Sequence, residues 1–405
     1  MTLCLEKQFD VAIAGGGPAG SSTAIQLAQA GARVLLLEQK RFPRPKLCGE
    51  FISPECISHF ERLGVATEML ASGGKAITTT VFYARSGASV HLPSEWFKPG
   101  TTALGLSRSE MDQRLLKRAK QVGVTVWEDA HATGVLRVGQ RVAGILVKAG
   151  EELHQCAAAL TIDATGRNRT LARERNHDAS DGKRPELVAF KAHFENARVR
   201  EGACEIYFYK HGYGGLSAVE NGLTNLCFIV AARDVRRYAS DPETVMREVV
   251  MKNRRAAYTL RGARSHTPWL SVSLRGFGRY ALAPEPGLLT IGDAASFIDP
   301  FTGSGMLMAL ESGKLAAEVI TRHLSTPLSQ LADDVFHIAR EYQTAYAETF
   351  QSRLRTAGLL RLAAFVPGLA SAAIRMSGVS SHFRRHLARA THQSFGASID
   401  VSTIR

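Results

Sequence analysis

The sequence lacks any cysteine pair at metal-site spacing, and it lacks a long uninterrupted apolar run. Its six cysteines, at positions 4, 48, 56, 156, 204 and 227, include no CxxC pair, which favours reduced thiols in a cytoplasm over a disulfide framework. The longest apolar stretch, 357–373, contains Arg361 and Pro367 and therefore makes a poor membrane span. The first residues are too few and too mixed in charge for a signal peptide. We expect a cytoplasmic protein, either soluble or attached to a membrane surface.

Acidic residues are also scarce, 37 against 50 lysines and arginines, which gives a net charge of +13. Such a charge suits nucleic acid, an anionic membrane surface or an acidic partner such as an acyl carrier protein. The arginines are scattered without interleaved aromatics and no zinc-finger or RNA-binding signature occurs, so we exclude nucleic acid. From 351 to 399 no acidic residue occurs, whereas the basic residues there include Arg353, Arg355, Arg361, Arg375, Arg384, Arg385 and Arg389.

Metal chemistry has little support in the sequence. His382 and His386 stand one helical turn apart, as two metal ligands can. No glutamate follows the first histidine and no third ligand lies nearby in the sequence. We expect no metal site.

What the sequence does contain, near its start, is a β-α-β unit with a glycine fingerprint. An apolar strand at 9–14 precedes G-x-G-x-x-G, a helix follows, and a second strand at 33–37 leads into Glu38. The first glycine of the motif permits a tight turn, the second admits a pyrophosphate and the third allows close strand–helix packing. The acidic residue after the second strand can accept both ribose hydroxyls. The predicted dinucleotide contacts are Gly15, Gly17, Pro18, Ala19, Gly20, Glu38 and Gln39.

The remaining pattern predicts an α/β fold in which a second domain is inserted into the first. A helix capped by Ser109 and closed by Gly123 leads back to a strand at 124–127. Three alternating stretches from 130 to 163 predict an antiparallel meander, and later strands predict a second sheet. The predicted division is 1–74 with 104–170 and 281–325 for the first domain, 75–103 with 171–280 for the second, and 326–405 for C-terminal helices.

Three further segments identify the dinucleotide through a resemblance to a known family. TIDATGRNR ends a strand with Asp163 and Gly166, LLTIGDAASFIDPFTGSGM ends another with Gly292 and Asp293, and GLSRSEMDQRLL places Arg108 at a helix start. With the glycine fingerprint, these segments resemble the FAD-binding fold of flavoprotein aromatic hydroxylases and geranylgeranyl reductases. The resemblance implies a Rossmann-like FAD-binding domain of the glutathione-reductase type with a β-meander, an inserted mixed or antiparallel substrate sheet and a C-terminal helical extension.

The resemblance also implies roles for these residues. Asp293 and Arg108 would hold the ribityl or pyrophosphate region of FAD. The segment PFTGSGM would lie against the isoalloxazine ring, where small residues leave room and a helix start offers N–H groups to the electron-rich edge. Because one glycine fingerprint is present, NAD(P)H would be a transient electron donor without a domain of its own. The contacts predicted from these segments are Arg108, Asp163, Gly166, Gly292, Asp293, Pro300, Gly303, Gly305 and Met306.

The stretch RPKLCGE, residues 44–50, resembles the P-x-x-K-x-C-G loop of the geranylgeranyl reductases, which passes near the flavin on the substrate side. Here the proline and the lysine are adjacent, which departs from that pattern. Arg44, Lys46, Cys48 and Gly49 would then border the cofactor, and the two cations would also attract the phosphates of NAD(P)H. The thiol of Cys48 is a polarizable cavity wall, a proton donor or a packing group.

The sequence thus predicts an FAD-dependent oxidoreductase, and three alternatives remain for its reaction, of which the first is favoured. The first is an NAD(P)H-dependent monooxygenase of a large hydrophobic or aromatic substrate, free or bound to an acidic carrier protein. The second is a carbon–carbon double-bond reductase, although the tyrosine–tryptophan pattern of prenyl reductases is incomplete here, with Tyr213 followed by Gly215. The third is a flavoprotein without turnover. A halogenase is disfavoured because the Trp-x-Trp-x-Ile-Pro motif is absent, and Lys75 is expected at the surface. Cys48 and Tyr213 are the candidate catalytic residues.

Overall fold

The computed structural model describes residues 9–173, 187–324, 331 and 334–365. The strands in these ranges are β1 Phe9–Ala14, β2 Val34–Leu37, β3 Phe51–Ile52, β4 Lys75–Ile77, β5 Thr79–Tyr83, β6 Ser89–Pro93, β7 Ala103–Gly105, β8 Thr125–Trp127, β9 Ala130–Val138, β10 Arg141–Ala149, β11 Glu152–Asp163, β12 Leu187–Glu195, β13 Ala203–Tyr209, β14 Gly212–Ala218, β15 Thr224–Ala231, β16 Arg264–Ser265, β17 Leu270–Leu274, β18 Gly278–Arg279, β19 Leu288–Thr290 and β20 Ser296–Phe297. The helices are α1 Pro18–Gln29, α2 Pro54–Leu63, α3 Ala66–Leu70, α4 Arg108–Gln121, α5 Ala232–Arg237, α6 Pro242–Glu248, α7 Arg254–Thr259, α8 Gly305–His323 and α9 Val335–Phe365. Within the described residues, no helix is long and apolar enough to cross a membrane.

The first sheet has the strand order β8-β2-β1-β11-β10-β9, and β19 also pairs with β11. The pairs among β8, β2, β1, β11 and β19 are parallel, so the carboxyl ends of these strands lie at one edge. The long strand β11 also pairs antiparallel with β10, and β10 with β9, which confirms the predicted meander. Helices α1, α4 and α8 pack beside this sheet in one apolar core with residues of α9. The predicted α/β fold class is confirmed.

The second sheet has the order β16-β12-β15-β14-β13-β5-β6, and β17 also pairs with β12. Its pairs are antiparallel except β13 with β5, which is parallel. Because successive side chains of a strand point to opposite faces, one face of β12–β15 packs against α5–α7, and the other packs against Leu47, Phe297 and Phe301. The predicted domain bounds remain a proposal. Strands β4 and β7, at the two ends of the predicted insertion 75–103, do not join the second sheet: β7 pairs with β4 on one side and with β3 on the other, in a small sheet.

The cap of α4 differs from the predicted one. Ser107, and not Ser109, is the N-cap, since its side chain accepts a hydrogen bond from the backbone N–H of Glu110 at 3.2 Å. Both serines satisfy the cap preference, and the tertiary contact decides: the backbone N–H of Ser107 donates to the carboxylate of Glu220 at 3.0 Å. The register of the helix start therefore shifts by two residues and places Arg108 in its first turn.

Part of the C-terminal helical extension is described as α9. Tyr342, Tyr346 and Phe350 recur at helical spacing on its buried face, and the Tyr342 hydroxyl donates to the carbonyl of Thr290 at 2.9 Å. Arg353 is also buried and pairs with Glu311 of α8, so this arginine is not part of a solvated basic surface. Residues 366–405, including His382 and His386, lie outside the described residues.

Candidate active site

One cavity of about 480 Å³ lies where the two sheets meet. It is bordered by the turns that follow the parallel strands β1, β2, β11 and β19, as ligand sites of open α/β sheets usually are. Helices α1, α4 and α8 all begin at its wall. The first N–H groups of a helix have no partner within it and carry partial positive charge, so three helix starts favour an anionic ligand.

The glycine-rich turn forms one end of the cavity. Gly15, Gly17, Pro18 and Ala19 line it. Gly15 has φ +109, and a Cβ there would lie 2.3 Å from the carbonyl oxygen of Ala164. Gly20 is behind the wall, where a Cβ would lie 1.9 Å from the carbonyl oxygen of Gly15. Its role is therefore the close packing expected for the third glycine of the motif.

Glu38 and Gln39 line the same end. The Glu38 carboxylate accepts hydrogen bonds from the backbone N–H groups of Gly16 and Lys40, both at 3.0 Å, and from Arg44 at 3.3 Å. These contacts fix the carboxylate beside the glycine turn, where a ribose would meet it. The contact with Gly16 is a second function for Glu38 that sequence reasoning did not find.

Two arginines with a common acidic partner follow along the wall. The guanidinium of Arg108 donates two hydrogen bonds of 2.8 Å to Asp112, one turn later on α4. Burial opposes the charged form of Arg108, but Asp112 outweighs it and holds the arginine pKa above its ordinary value. Arg44 pairs with Glu38 and, at 3.5 Å, with Asp112. Its Nε and Nη1 are removed from solvent and have no hydrogen-bond acceptor in the described part of the chain.

Asp163 and Gly166 follow β11 and have different surroundings. Gly166 lines the cavity. Asp163 is fully buried behind it, and its carboxylate accepts from the backbone N–H groups of Thr165, Leu171 and Ala172, each at 2.9 Å. Asp163 therefore holds the loop that carries Gly166, and we do not place it in direct contact with a cofactor.

Asp293 faces a group of cations. Gly292 and Asp293 line the cavity after β19, and burial raises the pKa of Asp293, although the charges of Arg167, Arg108 and Lys46 oppose that rise. Burial and the neighbouring arginines lower the pKa of Lys46, and burial lowers that of Arg167. Neither Lys46 nor Arg167 forms an ion pair within the described residues. The cavity therefore contains cationic groups for which the protein supplies too few anions.

The segment 299–305 forms the opposite border of the same region. Pro300, Gly303, Gly305 and Met306 line the cavity, and Gly303 has φ +66, in the left-handed region. Asp299 accepts the backbone N–H of Phe301 at 3.0 Å and also the hydroxyl of Tyr213 from β14. Burial and Asp299 raise the pKa of Tyr213 well above its ordinary value, so the phenol keeps its proton. Tyr213 thus ties this segment to the second sheet.

The segment 44–50 is tied to the second sheet as well. Cys48 and Gly49 line the cavity, and their carbonyl oxygens accept from the side chain of Asn225 at 3.1 and 2.8 Å. The Cys48 sulfur interacts with the guanidinium of Arg108 and accepts the backbone N–H of Glu50 at 3.4 Å. Both candidate catalytic residues, Cys48 and Tyr213, therefore border one cavity.

The far half of the cavity is apolar. Its walls include Phe82, Phe97, Ile206, Leu274, Phe297 and Phe301. Small residues from the neighbouring strands β13, β14 and β15 form the sheet surface between them, namely Cys204, Gly215 and Cys227. Burial raises the pKa of both thiols to about 12, so they stay protonated and behave as apolar groups. This half suits a hydrophobic substrate.

The residues present fit FAD. A dinucleotide pyrophosphate carries the negative charge that the unpaired cations and the helix starts lack, and it would satisfy the buried donors of Arg44. A group of three His, Cys, Asp or Glu side chains suited to a metal ion is not found in the part of the chain that the structure describes. Lys75 is exposed on β4 and does not line the cavity.

Several residues of the site have no signal in the sequence. They act through contacts between distant segments, or depend on a helix register that the misplaced cap obscured. These residues are Asp112, Arg167, Glu50, Lys191 and Asn225. The apolar wall could be found in part, since alternate positions of the predicted strands point to one face.

Comparison with known proteins agrees with this site. A family model described as an FAD binding domain matches residues 8–330. The menaquinone reductase of Mycolicibacterium smegmatis is 27% identical over 389 residues, 92% of this chain and 89% of that protein. The 1H-pyrrole-2-carbonyl-[peptidyl-carrier protein] brominase of Pseudoalteromonas luteoviolacea is 26% identical over 330 residues, 78% and 77% of the two chains. The crystal structure of a geranylgeranyl bacteriochlorophyll reductase-like protein from Thermoplasma acidophilum superimposes with a TM-score of 0.77, at 21% identity and 97% coverage of both chains.

Proposed function

The chain belongs to the FAD binding domain family and is an FAD-dependent oxidoreductase, and on that premise we propose that it reduces a carbon–carbon double bond of a large hydrophobic substrate with electrons from NAD(P)H. The observation that carries the proposal is the continuity of the cavity: its apolar half opens directly onto the end lined by Gly303 and Cys48. The similarity to a menaquinone reductase over most of both chains supports a reduction of this kind.

Reduction of a double bond adds a hydride to one carbon and a proton to the other. Bound FAD, once reduced by NAD(P)H, would supply the hydride and return to its oxidised form. Arg44, Arg108 and Asp293 would hold its pyrophosphate and ribityl region, Glu38 its ribose, and the small residues of 300–305 would leave room for its ring.

The proton must come from a group at the cavity wall. Tyr213 donates its hydrogen bond to Asp299 and has a raised pKa, so its proton is held away from the substrate. Cys204 and Cys227 are apolar lining, because burial raises the pKa of each to about 12. Cys48 lines the same cavity, and we assign it the proton transfer. The aromatic walls would keep water from the reacting carbons.

The protein that must receive the substrate is strongly basic. The net charge of +13 supports delivery from an anionic surface, either a lipid headgroup layer or an acidic carrier protein. A long hydrophobic molecule would enter the apolar half first and present its double bond at Cys48.

A second candidate is the monooxygenase that the sequence favours. The specific support is the ring-lined part of the wall, where Phe82, Phe208 and Tyr213 surround Phe301 at centroid distances of 5.4–6.0 Å, since such walls suit a flat aromatic substrate. The relative that brominates a carrier-bound pyrrole shows that a member of this family takes an aromatic substrate on a carrier.

The two candidates differ in what reoxidises the enzyme. The protein is reduced with NADPH under argon and mixed with a geranylgeranyl lipid, which has carbon–carbon double bonds but no quinone ring to accept electrons, and the flavin absorbance is followed. A reductase recovers the oxidised spectrum without dioxygen, whereas a monooxygenase recovers it only after dioxygen is admitted. Cys48→Ser should keep FAD bound and slow the anaerobic step by about a hundredfold, within the usual contribution of a general acid. Unchanged turnover in this variant would remove Cys48 from the reaction.

A further inference from the structure

Glu50 is a fully buried carboxylate at the junction of three parts of the molecule. It follows Gly49 and precedes β3, and its backbone has φ 54, in the left-handed region. This conformation is unfavourable for a residue with a side chain and persists only where the surroundings impose it. The contacts of the carboxylate supply these surroundings.

Each oxygen of that carboxylate contacts a different part of the fold. One accepts the backbone N–H of Arg108, at the start of α4, at 2.9 Å and also the ammonium of Lys191. The other lies 2.6 Å from Nε2 of His193. Lys191 and His193 belong to β12 of the second sheet, whereas Arg108 borders the cofactor end of the cavity. One side chain thus bonds the flavin-side helix to the substrate-side sheet.

The same sheet residues hold the backbone just before Glu50. Lys191 donates to the carbonyl of Lys46 at 3.2 Å, and Asn225 of β15 donates to the carbonyls of Cys48 and Gly49. Lys191 and Asn225 are themselves almost completely buried, at 2% and 0% exposure. The backbone carbonyls of Lys46, Cys48 and Gly49 are therefore held by the second sheet, although Lys46 and Gly49 themselves are exposed.

The charges of this group are matched. Burial by itself would raise the pKa of Glu50, but the hydrogen bond from His193 and the charge of Lys191 hold it below its ordinary value. Glu50 is therefore ionised at neutral pH and neutralises Lys191. Removing either charge alone would leave the other buried without its partner.

We infer that Glu50 is a positioning residue for the flavin site: through it, Lys191 and His193 of the second sheet fix Cys48, Gly49 and the first turn of α4, which carries Arg108. The inference goes beyond the proposed reaction and needs only that the cavity binds FAD. A movement of β12 would reach the flavin end of the cavity along this route, without contact between β12 and the cofactor.

Binding of FAD to the apoprotein tests this inference without any turnover. The variants are Glu50→Gln, Lys191→Met and the double variant, and the readouts are quenching of FAD fluorescence and the visible circular dichroism of the bound flavin. Glu205→Gln is the matched control, because Glu205 is as buried as Glu50 and lies on β13 of the second sheet, where it accepts from Arg255, Tyr207 and Thr259 and points to the face opposite Lys191 and His193.

We expect both Glu50→Gln and Glu205→Gln to unfold at a lower temperature than wild type. Of these two variants, only Glu50→Gln should raise the Kd for FAD, by about tenfold or more, and change the circular dichroism of the bound flavin. Lys191→Met should act similarly. The double variant should weaken binding by less than the product of the two single effects, because both act through one contact.

Three outcomes would overturn the inference: an unchanged Kd in Glu50→Gln, an equal weakening in Glu205→Gln, or fully multiplicative effects in the double variant. If Glu50→Gln does not fold, the double variant carries the test, since it buries no unpaired charge. A folded double variant that binds FAD with wild-type affinity and dichroism would also overturn it.

Discussion

The segments 44–50 and 299–305 both border the cavity at the end where we propose that the flavin lies, and both are bonded to the second sheet, but by different groups. The first is held by the ionised Glu50 with Lys191 and His193, and by the amide of Asn225. The second is held by a neutral phenol, that of Tyr213, which donates to Asp299, and by ring contacts to Phe301.

This difference shows which border is the more rigid. A buried ion pair leaves an uncompensated charge when one partner is lost, whereas a lost phenol leaves a carboxylate that still accepts a backbone N–H. The segment that carries the candidate proton donor, Cys48, is thus held more strongly than the segment expected to lie along the flavin ring. The proton transfer proposed for Cys48 requires this, because a proton donor must stay within hydrogen-bond reach of the reacting carbon.

The largest loss of stability is expected when the ion pair that holds segment 44–50 is removed. Lys191→Met should lower the free energy of unfolding by about 3–5 kcal/mol, because Glu50 is left buried and ionised. Urea denaturation of the apoprotein measures this. Lys252→Met is the control, since Lys252 forms an exposed pair with Glu248 and its loss should cost at most about 0.5 kcal/mol. Equal costs for the two lysines would mean that the buried pair does not fasten the segment.

Removing the neutral hydrogen bond that holds segment 299–305 should lower the free energy of unfolding by less. Tyr213→Phe removes one donor to Asp299 and should lower the free energy of unfolding by about 1–3 kcal/mol, measured in the same way. Tyr209→Phe provides the comparison, because its hydroxyl donates to the backbone carbonyl of Ile229 at 3.0 Å. A Tyr213→Phe cost as large as that of Lys191→Met would remove the distinction between the two borders.

A backbone change in the second segment should cost less again. Gly303→Ala places a side chain at φ +66, where the nearest atom of another residue is in Phe51 at 3.6 Å, so the expected loss of about 1–2 kcal/mol comes from the backbone conformation alone. Gly305→Ala in the apoprotein is the control, since a Cβ there meets nothing within 4 Å. If both alanines had the same effect on thermal unfolding, strain at Gly303 would be excluded.

The smallest effect should be a gain in stability at neutral pH, in contrast to the losses above. Burial raises the pKa of Asp293 in the folded protein. The window that matters extends from about pH 4, the ordinary pKa of an aspartate, up to this raised pKa. Within it, the folded state binds more protons than the unfolded state. Stability of the apoprotein therefore falls as pH rises through this window. Asp293→Asn should remove this fall, so that the variant is more stable than wild type at pH 7 and equal to it at low pH, while binding FAD more weakly. Thermal unfolding across pH checks the first part, and an unchanged pH profile would contradict it.

The sequence predicts which residues come together at the glycine-rich turn because its signals there are local. Gly15, Gly17 and Glu38 lie within one β-α-β unit, and strand periodicity with turn residues places them at one sheet edge. The cap of α4 shows the limit of local signals: Ser107 and Ser109 satisfy the same preference, and only Glu220, far along the chain, distinguishes them.

The contacts between the two sheets could not be predicted in this way. Glu50 meets Lys191 and His193 across 141 and 143 residues, and nothing near any of the three specifies the register that brings them together. Asp163 shows the reverse case: it lies in a recognisable motif, but its carboxylate accepts hydrogen bonds from the backbone of its own loop. Distance in sequence, and competition from nearby backbone donors, therefore limit what a motif can predict about a site.

The most direct test of the proposed reaction is the mass of the product formed without dioxygen. The protein, NADPH and a prenyl-chain quinone are incubated under argon, the mixture is then exposed to air so that any quinol returns to quinone, and the quinone is analysed by mass spectrometry. A double-bond reductase predicts a product that keeps two additional hydrogens after this step. A product without added hydrogens under argon, together with one additional oxygen atom when dioxygen is present throughout, would contradict the reductase and establish the monooxygenase.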